Sequence, residues 1–206
     1  MSSLSRFILV VLITIIFNAG NPVIGHGASA MAGTPICHRC TDYIIAACRV
    51  TLYPRLCFKS LQVFATNINR NQHRLSHVSF AVSLFHVNRT LGTISSMSTT
   101  TWNGRGQGAL KDCIEILADS VYQIENSMRE LRIISRGDVM FHVGNIQTWM
   151  SAALTDEDTC ADGFDGVDGR LKFTIRRMMR KLERLTSNSL AIFNTYATNI
   201  TKNQVH

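Results

Sequence analysis

The stretch that decides the fold is LKDCIEILADSVYQIENSMREL, Leu110–Leu131. Its apolar residues recur at alternating intervals of four and three positions. They are Leu110, Ile114, Leu117, Val121, Ile124, Met128 and Leu131. This alternation places side chains on one face of an α-helix, because the helix makes a turn about every 3.6 residues. The stretch therefore predicts a long helix with one buried stripe.

The segment before this helix shows the same spacing. Leu75, Val78, Val82 and Phe85 step by three and four positions. They predict a preceding helix that presents these four residues to the core and ends near Gly92.

Two more helices are predicted after the first stretch. Asp138 follows Gly137 and is a candidate N-cap for the next helix. The last helix is predicted over Leu171–Tyr196, where the three-and-four alternation returns. Between them, Asp156–Gly169 is rich in aspartate and glycine and predicts a loop. Four amphipathic helices with short connections predict an all-α, up-and-down four-helix bundle.

A tight turn is predicted upstream of the bundle, in CRVTLYPRLC, Cys48–Cys57. Proline disfavours helix at the residue before it and fits the first turn of a new helix. Tyr53 and Pro54 therefore predict the corner of a helical hairpin. A disulfide between Cys48 and Cys57 would hold this corner and stabilise it by about 2–3 kcal/mol.

The other cysteines allow a second pairing. Cys113 lies near the start of one predicted helix and Cys160 just past the end of the next. Antiparallel neighbours bring these positions to the same end of the bundle, so we expect Cys113 to pair with Cys160. Cys37 and Cys40, in CHRC, lack the second ligand pair of a zinc site. A local disulfide or an intermolecular thiol is expected there.

The N-terminus has the pattern of a secretory signal peptide. Arg6 precedes the apolar run Phe7–Phe17, and Ala28–Ala30 has the small-residue spacing of a cleavage site. We expect residues 1–30 to be removed and 31–206 to form a single domain in a secreted protein. The apolar run is too short to span a bilayer, so no membrane partner is expected after cleavage.

Two further features agree with an extracellular, basic protein. Asn88 and Asn199 each open an acceptor sequence for N-glycosylation. The 206-residue chain has a formal net charge of +7, which favours acidic partners or polyanions outside the cell. No nucleic-acid partner is predicted.

Catalytic patterns are weak in this sequence. It contains no G-x-S-x-G, H-E-x-x-H or P-loop motif. His73 and His77 could share a helix face but lack a third metal ligand. Asp162, Asp165 and Asp168 recur every three residues, which does not match a calcium loop. We therefore predict no enzyme activity, no metal and no cofactor.

Four stretches together resemble a known family. They are CRVTLYPRLCFKSL, LKDCIEILADSV, NIQTWMSAALTDEDTCADGF and LTSNSLAIFN, in this order. The combination is similar to the plant invertase and pectin methylesterase inhibitor family, over about residues 43–197. The resemblance implies a four-helix bundle with an N-terminal hairpin and two disulfides, which by position are Cys48–Cys57 and Cys113–Cys160.

The resemblance also implies a function. The chain looks most like an inhibitor of pectin methylesterase that acts in the apoplast or cell wall, binds one-to-one and blocks the pectin-binding cleft. The alternative target is a cell-wall or vacuolar acid invertase. Invertase inhibitors are associated with a Pro-Lys-Phe motif, and here Leu171, Lys172 and Phe173 stand at the nearest match.

Surface polar residues are the expected contacts with the enzyme. The resemblance points to Glu115, Asp119 and Gln123 on the Leu110–Leu131 helix and to Gln147 on the next. The alternative is that most of them are ordinary solvated residues.

A basic stripe marks the last helix. Arg176, Arg180 and Arg184 step by four, with Arg177 and Lys181 beside them, so their side chains are expected to share one exposed sector. Retention on acidic pectin through this sector is one hypothesis. A solvated face that keeps the protein soluble is the other.

Overall fold

The computed structural model describes residues 37–99, 102, 104–167 and 169–202, so the predicted signal peptide lies outside the described residues. No residue in these ranges is in a strand. The α-helices are α1 His38–Cys48, α2 Pro54–Leu61, α3 Ala65–Ile68, α4 Gln72–Ser98, α5 Gly104–Ile133, α6 Val139–Asp162 and α7 Arg170–Lys202. A 3-10 turn, Gln62–Phe64, joins α2 to α3. None of the helices in the described ranges combines the length and the apolar character that crossing a membrane requires.

Helices α4 to α7 form the predicted four-helix bundle, which confirms the fold class. Each of these helices packs against the next in chain order, and α7 packs against α4 to close the ring. Helices α5 and α7 therefore lie diagonally opposite each other. This order places α5 and α6 side by side on one flank of the bundle, while α7 meets the hairpin on the other.

The decisive stretch of sequence folds as predicted. Leu110, Leu117, Ile124 and Leu131 of α5 are fully buried, and the three intervening apolar residues of the stripe are half-buried and pack against the same core. The stripe faces the bundle interior over the whole length of the helix.

Helix α4 differs from its prediction. It continues past Gly92 to Ser98, because Ile94 is fully buried and adds another turn to the core. The predicted core residue Phe85 is 61% exposed. Val78 and Val82 pack against the hairpin rather than the bundle interior. The predicted stripe is thus the hairpin-facing side of α4.

The side of α4 that faces the bundle core carries buried serines. Ser83 is buried, and its hydroxyl lies 3.0 Å from the hydroxyl of Ser189 on α7. Ser189 in turn donates to the backbone carbonyl of Ser79 at 2.9 Å. Because buried hydroxyls with partners are tolerated in a core, this face does not show the apolar spacing on which the prediction relied.

Helix α6 begins as predicted but ends later. The Asp138 side chain accepts hydrogen bonds from the backbone N–H groups of Met140 and Phe141, which confirms it as the N-cap. Gly137, at φ +94°, makes the turn before it. The predicted loop over Asp156–Gly169 was wrong in its first half, since α6 continues to Asp162.

The C-terminal turns of α6 are stabilised because they place side chains in the buried core. Ala153, Glu157 and Cys160 continue the buried stripe at intervals of four and three. The apolar spacing in the sequence does not show this continuation, because Glu157 has an ionisable side chain at a core position. Cys160 therefore lies within the last turns of α6, where it is bonded to Cys113 of α5.

The hairpin corner has the expected structure. Pro54 is the first residue of α2 and Tyr53 is its N-cap. Cys48 and Cys57 are joined by a disulfide across the corner. Asn188 of α7 fixes the corner from outside, because its Oδ1 accepts from the Tyr53 N–H at 3.1 Å and its Nδ2 donates to the Tyr53 carbonyl at 3.0 Å.

The hairpin has a small core of its own against the bundle. Leu75 of α4 and Ile192 of α7 are buried in it together with Ile44 of α1 and Leu61 of α2. Cys37 and Cys40 form a local disulfide at the start of α1.

Candidate interaction surface

The seam between α5 and α6 brings two of the predicted contact residues together. Asp119 is exposed and Gln123 is half-buried on α5. Asp119 interacts electrostatically with Asp156 of α6. The Oε1 atom of Gln123 is buried and has no hydrogen-bond partner in the described part of the chain. Since an unpaired buried acceptor is costly, a donor supplied by a bound partner would be favourable here.

The seam contains carboxyl groups that hold protons unusually well. Burial raises the pKa of Asp156 to about 6, and the negative charge of Asp119 acts in the same direction. Asp156 Oδ2 is also buried without a hydrogen-bond partner among the described residues. The negative charge of this surface therefore decreases as the medium becomes mildly acidic.

Glu157 lies behind the seam, in the bundle interior. It is fully buried, and its Oε1 accepts a hydrogen bond from the Thr186 hydroxyl at 2.8 Å and one from Ser120 at 3.5 Å. Burial raises the pKa of Glu157 to about 8, although both of these hydrogen bonds act to lower it. The carboxyl is therefore neutral at acidic pH and supports the seam rather than facing a partner.

An aromatic side chain stands beside the acidic residues. Tyr122 is 57% exposed and follows Asp119 by three positions and Glu115 by seven, so the three share the outer face of α5. Glu115 is exposed as well. Tyrosine is enriched among residues that dominate protein interfaces. We call Glu115, Asp119, Tyr122, Gln123 and Asp156 the α5–α6 surface.

Gln147 does not belong to this surface. Its Nε2 donates to Asn194 Oδ1 of α7 at 2.9 Å, so it lies at the α6–α7 seam. The prediction grouped Gln147 with the α5 residues, but sequence alone does not show which neighbour an α6 side chain faces.

The predicted basic stripe is divided in the structure. Arg176 is half-buried and forms an ion pair with Asp165 in the loop before α7. Arg180 and Arg184 instead line a groove against the hairpin. The expectation of an exposed sector therefore holds for Arg180 and Arg184, whereas Arg176 is half-buried and paired with Asp165.

The invertase-like tripeptide is also tied to this loop. Leu171 is buried and Phe173 is 63% exposed. Lys172 Nζ lies 3.4 Å from Asp165 Oδ1 and donates to the Asp165 backbone carbonyl at 3.0 Å. The lysine is therefore held by its own chain.

The two glycosylation sequons lie on helices. Asn88 of α4 and Asn199 of α7 are both exposed. The Asn199 amide donates to Gln72 Oε1 at 3.0 Å. Occupancy by a glycan stays a prediction.

Sequence reasoning missed Tyr122, Asp156 and Glu157. Tyr122 was missed because it lies outside the apolar stripe, although its position three residues after Asp119 was a usable signal. Asp156 and Glu157 were assigned to a loop. The interval from Ala153 to Cys160, equal to two helical turns, could have extended α6 through them.

No metal centre is built from the described residues, where no group of three or more His, Cys, Asp and Glu side chains is placed to hold an ion. His73, one of the two histidines considered for a metal, has its Nε2 within 2.8 Å of the Leu131 carbonyl.

The chain matches one family model and is similar to several known sequences. The model of the family described as plant invertase/pectin methylesterase inhibitor matches residues 42–192. Pectinesterase inhibitor 9 of Arabidopsis thaliana is 34% identical over 175 residues, which cover 81% of this chain and 86% of that relative. The 21 kDa protein of Daucus carota is 32% identical over 190 residues, or 89% and 94% of the two chains.

Comparison with solved structures supports the same fold. A crystal structure of a mutant form of a pectin methylesterase inhibitor from Arabidopsis aligns with a TM-score of 0.59 at 20% identity. The alignment covers 71% of this chain and 92% of that one.

Proposed function

We propose that this chain, which belongs to the plant invertase/pectin methylesterase inhibitor family, binds a pectin methylesterase one-to-one and blocks the cleft that holds pectin. The family comprises inhibitors rather than catalytic enzymes. The observation that carries the proposal is the match of residues 42–192 to the family model. The relatives named pectinesterase inhibitors support it, because the similarity covers most of their length.

The α5–α6 surface has the chemistry that such a partner would meet. A cleft that holds a polymer with carboxylate groups is expected to present cations. Asp119 and Glu115 would complement these cations, which favours fast association and correct register. Tyr122 supplies an aromatic anchor beside them. Two adjacent helices also offer a rigid surface, so little ordering of the inhibitor would accompany binding.

Acid invertase, of the cell wall or the vacuole, is the second candidate target because the same family includes inhibitors of both enzymes. The structure favours pectin methylesterase at one point. Lys172 would be the exposed lysine of an invertase-inhibiting tripeptide, yet it contacts Asp165 of its own loop. Leu171, which stands where that tripeptide has proline, is buried in the first turn of α7.

The proposed location is the apoplast or cell wall, after removal of residues 1–30. Support comes from the three disulfides, Cys37–Cys40, Cys48–Cys57 and Cys113–Cys160. Such bonds persist in oxidising compartments such as the secretory pathway and the extracellular space.

A titration tests the target. Purified protein is added in steps to a plant pectin methylesterase and, separately, to an acid invertase, and residual activity is followed. We expect pectin methylesterase activity to fall linearly to an endpoint at one inhibitor per enzyme. If the invertase is blocked while several pectin methylesterases keep their full rate, the second candidate replaces the first.

A pair of charge reversals tests the surface. Asp119→Lys is expected to weaken the complex by about tenfold or more, because it places a cation opposite the cations of the cleft. Asp42→Lys is the matched control, since Asp42 is exposed on α1 of the hairpin, outside the α5–α6 surface. Equal effects of the two variants would place the interface elsewhere on the protein.

A further inference from the structure

A groove separates the hairpin corner from the N-terminal half of α7. Its volume is about 510 Å³. The hairpin and α7 contribute four lining residues each. These are Tyr53, Pro54, Arg55 and Leu56, and Arg177, Arg180, Lys181 and Arg184. One wall is thus partly apolar, and the other is entirely cationic.

No carboxylate of the described residues forms an ion pair with the cations of this groove. All five cationic side chains are exposed, and within the described residues none lies within 4.0 Å of a carboxylate oxygen. Glu183, which interacts electrostatically with Arg180 and Arg184, lies beyond that distance. Lys181 Nζ lies 3.4 Å from His86 Nδ1. A histidine side chain is neutral or cationic, so this contact does not neutralise the lysine. Like charges at helical spacing repel, so an anionic ligand would stabilise this face.

The groove is also rigid. The disulfide between Cys48 and Cys57 and the ring of Pro54 fix the corner. Asn188 holds the Tyr53 backbone by two hydrogen bonds. The guanidinium carbon of Arg184 lies 5.1 Å from the centroid of the Tyr53 ring, within the range of a cation–π contact. Little ordering is needed before a ligand binds.

We propose that this groove binds an acidic polysaccharide with a carboxylate on each sugar, a polyuronate such as de-esterified pectin. Guanidinium groups pair with carboxylates through two parallel hydrogen bonds. Tyr53 and Leu56 offer an apolar wall for the C–H face of a sugar ring. The cations on α7 repeat about every helical turn, roughly 5 Å, which suits a polymer whose charges also repeat along its length.

This site is separate from the proposed enzyme-binding surface, because α7 is diagonal to α5 in the bundle. It also differs from the stripe predicted from sequence, since Arg176 pairs with Asp165 while Arg55 of the hairpin joins the other cations. The ligand would be the product of pectin demethylation, so the groove would keep the protein where that reaction has taken place.

Binding to polygalacturonate tests the site. Affinity is measured for wild type, for the groove variant Arg180→Gln/Arg184→Gln and for the control Lys111→Gln/Arg132→Gln. The control removes the same charge from exposed positions on α5. We expect about tenfold weaker binding for the groove variant and less than twofold for the control, with wild-type affinity falling as salt rises. Equal weakening by the two variants would overturn the proposal, since it would show attraction by net charge alone.

Two further ligands define the class. Fully methyl-esterified pectin has no free carboxylate and is expected not to bind. Polyglutamate carries carboxylates on a polypeptide and is expected to bind at least tenfold more weakly than polygalacturonate. Equal or tighter binding of polyglutamate would overturn the proposal and assign the groove to an acidic protein. The enzyme titration with the groove variant keeps the two proposals distinct, because its endpoint depends on the α5–α6 surface.

Discussion

The buried carboxyl of Glu157 should make the stability of the bundle depend on pH, and Glu157→Gln tests this dependence. Burial raises the folded-state pKa of Glu157 from 4.5 to about 8. The folded protein therefore binds this proton more tightly than the unfolded chain does. The resulting stabilisation is fully present below about pH 4.5 and is lost progressively as the pH rises towards 8.

The magnitude follows from the same shift. Between about pH 5 and pH 7 the unfolded carboxyl is mostly ionised while the folded one stays protonated. Each pH unit in this range then changes the free energy of unfolding by about 1.4 kcal/mol. The loss is about 2.5 kcal/mol over the range, and the midpoint of thermal unfolding should fall by about 5–10 °C for a domain of this size.

Urea unfolding followed by helical circular dichroism at about pH 5, 6 and 7 measures this effect. Glutamine keeps the size of Glu157 and a carbonyl oxygen for the Thr186 hydroxyl, but it cannot ionise. We expect the variant to lose much less stability than wild type as the pH rises. Glu125→Gln, which removes a carboxylate from an exposed ion pair with Arg129, is the control.

Other groups that titrate in the same range are present in both proteins. The hydrogen bond that His142 donates to Glu130 raises the pKa of His142, and burial raises the pKa of Asp156 to about 6. Each adds a loss of stability in the same direction as Glu157. Parallel pH profiles for wild type and Glu157→Gln would refute the reasoning, because they would show that Glu157 is ionised in the folded protein or that its ionisation has little energetic cost.

Three further outcomes are expected. Replacing Cys48 and Cys57 with serine should lower the free energy of unfolding by about 2–3 kcal/mol in urea, because the corner loop is no longer closed in the unfolded chain; an unchanged midpoint would contradict this. Asp138→Ala should cost about 1 kcal/mol in the same assay through loss of the α6 N-cap, whereas Asp138→Asn should retain most of it. Binding to pectin methylesterase should weaken as the pH rises above about 6, because a partner that covers Asp156 removes it further from water and raises its pKa again, so the complex holds a proton that the free inhibitor loses. In a surface plasmon resonance series, the same pH dependence for Asp156→Asn as for wild type would exclude this residue as the cause.

The elements that could be predicted from sequence are those with unmixed patterns. The α5 stripe is apolar at all seven positions from Leu110 to Leu131, so its spacing alone locates a buried face, although Ser120, Asn126 and Ser127 are buried beside it. The corner at Tyr53 and Pro54 combines a helix-starting proline with flanking cysteines, and each of these features acts locally. Such signals need no knowledge of the rest of the fold.

The elements that could not be predicted depend on tertiary partners. The core face of α4 carries Ser79 and Ser83, whose hydrogen bonds with α7 become visible only when the helices are packed. Glu157 is tolerated in the core because Thr186 donates to it and because it holds a proton. Arg176 forms an ion pair with Asp165 and is therefore not a free cation like Arg180 and Arg184. In each case a polar residue is satisfied by a neighbour that is distant in sequence or brought close by a turn.

The diagonal placement of α5 and α7 gives the two proposals a joint consequence. Asp119 and Tyr122 lie on one flank of the bundle, and Arg180 and Arg184 lie on the other. A polymer held in the groove would therefore leave the α5–α6 surface free for an enzyme, whereas a single shared surface would force the two ligands to compete. Short polygalacturonate chains can also enter the enzyme's own cleft, so the comparison is between wild type and Arg180→Gln/Arg184→Gln. At constant ionic strength, saturating chains should weaken enzyme binding by the same factor, within about twofold, in both proteins, because the groove and the α5–α6 surface act independently. Competition that is much stronger for wild type than for the groove variant would require the two binding surfaces of the inhibitor to overlap.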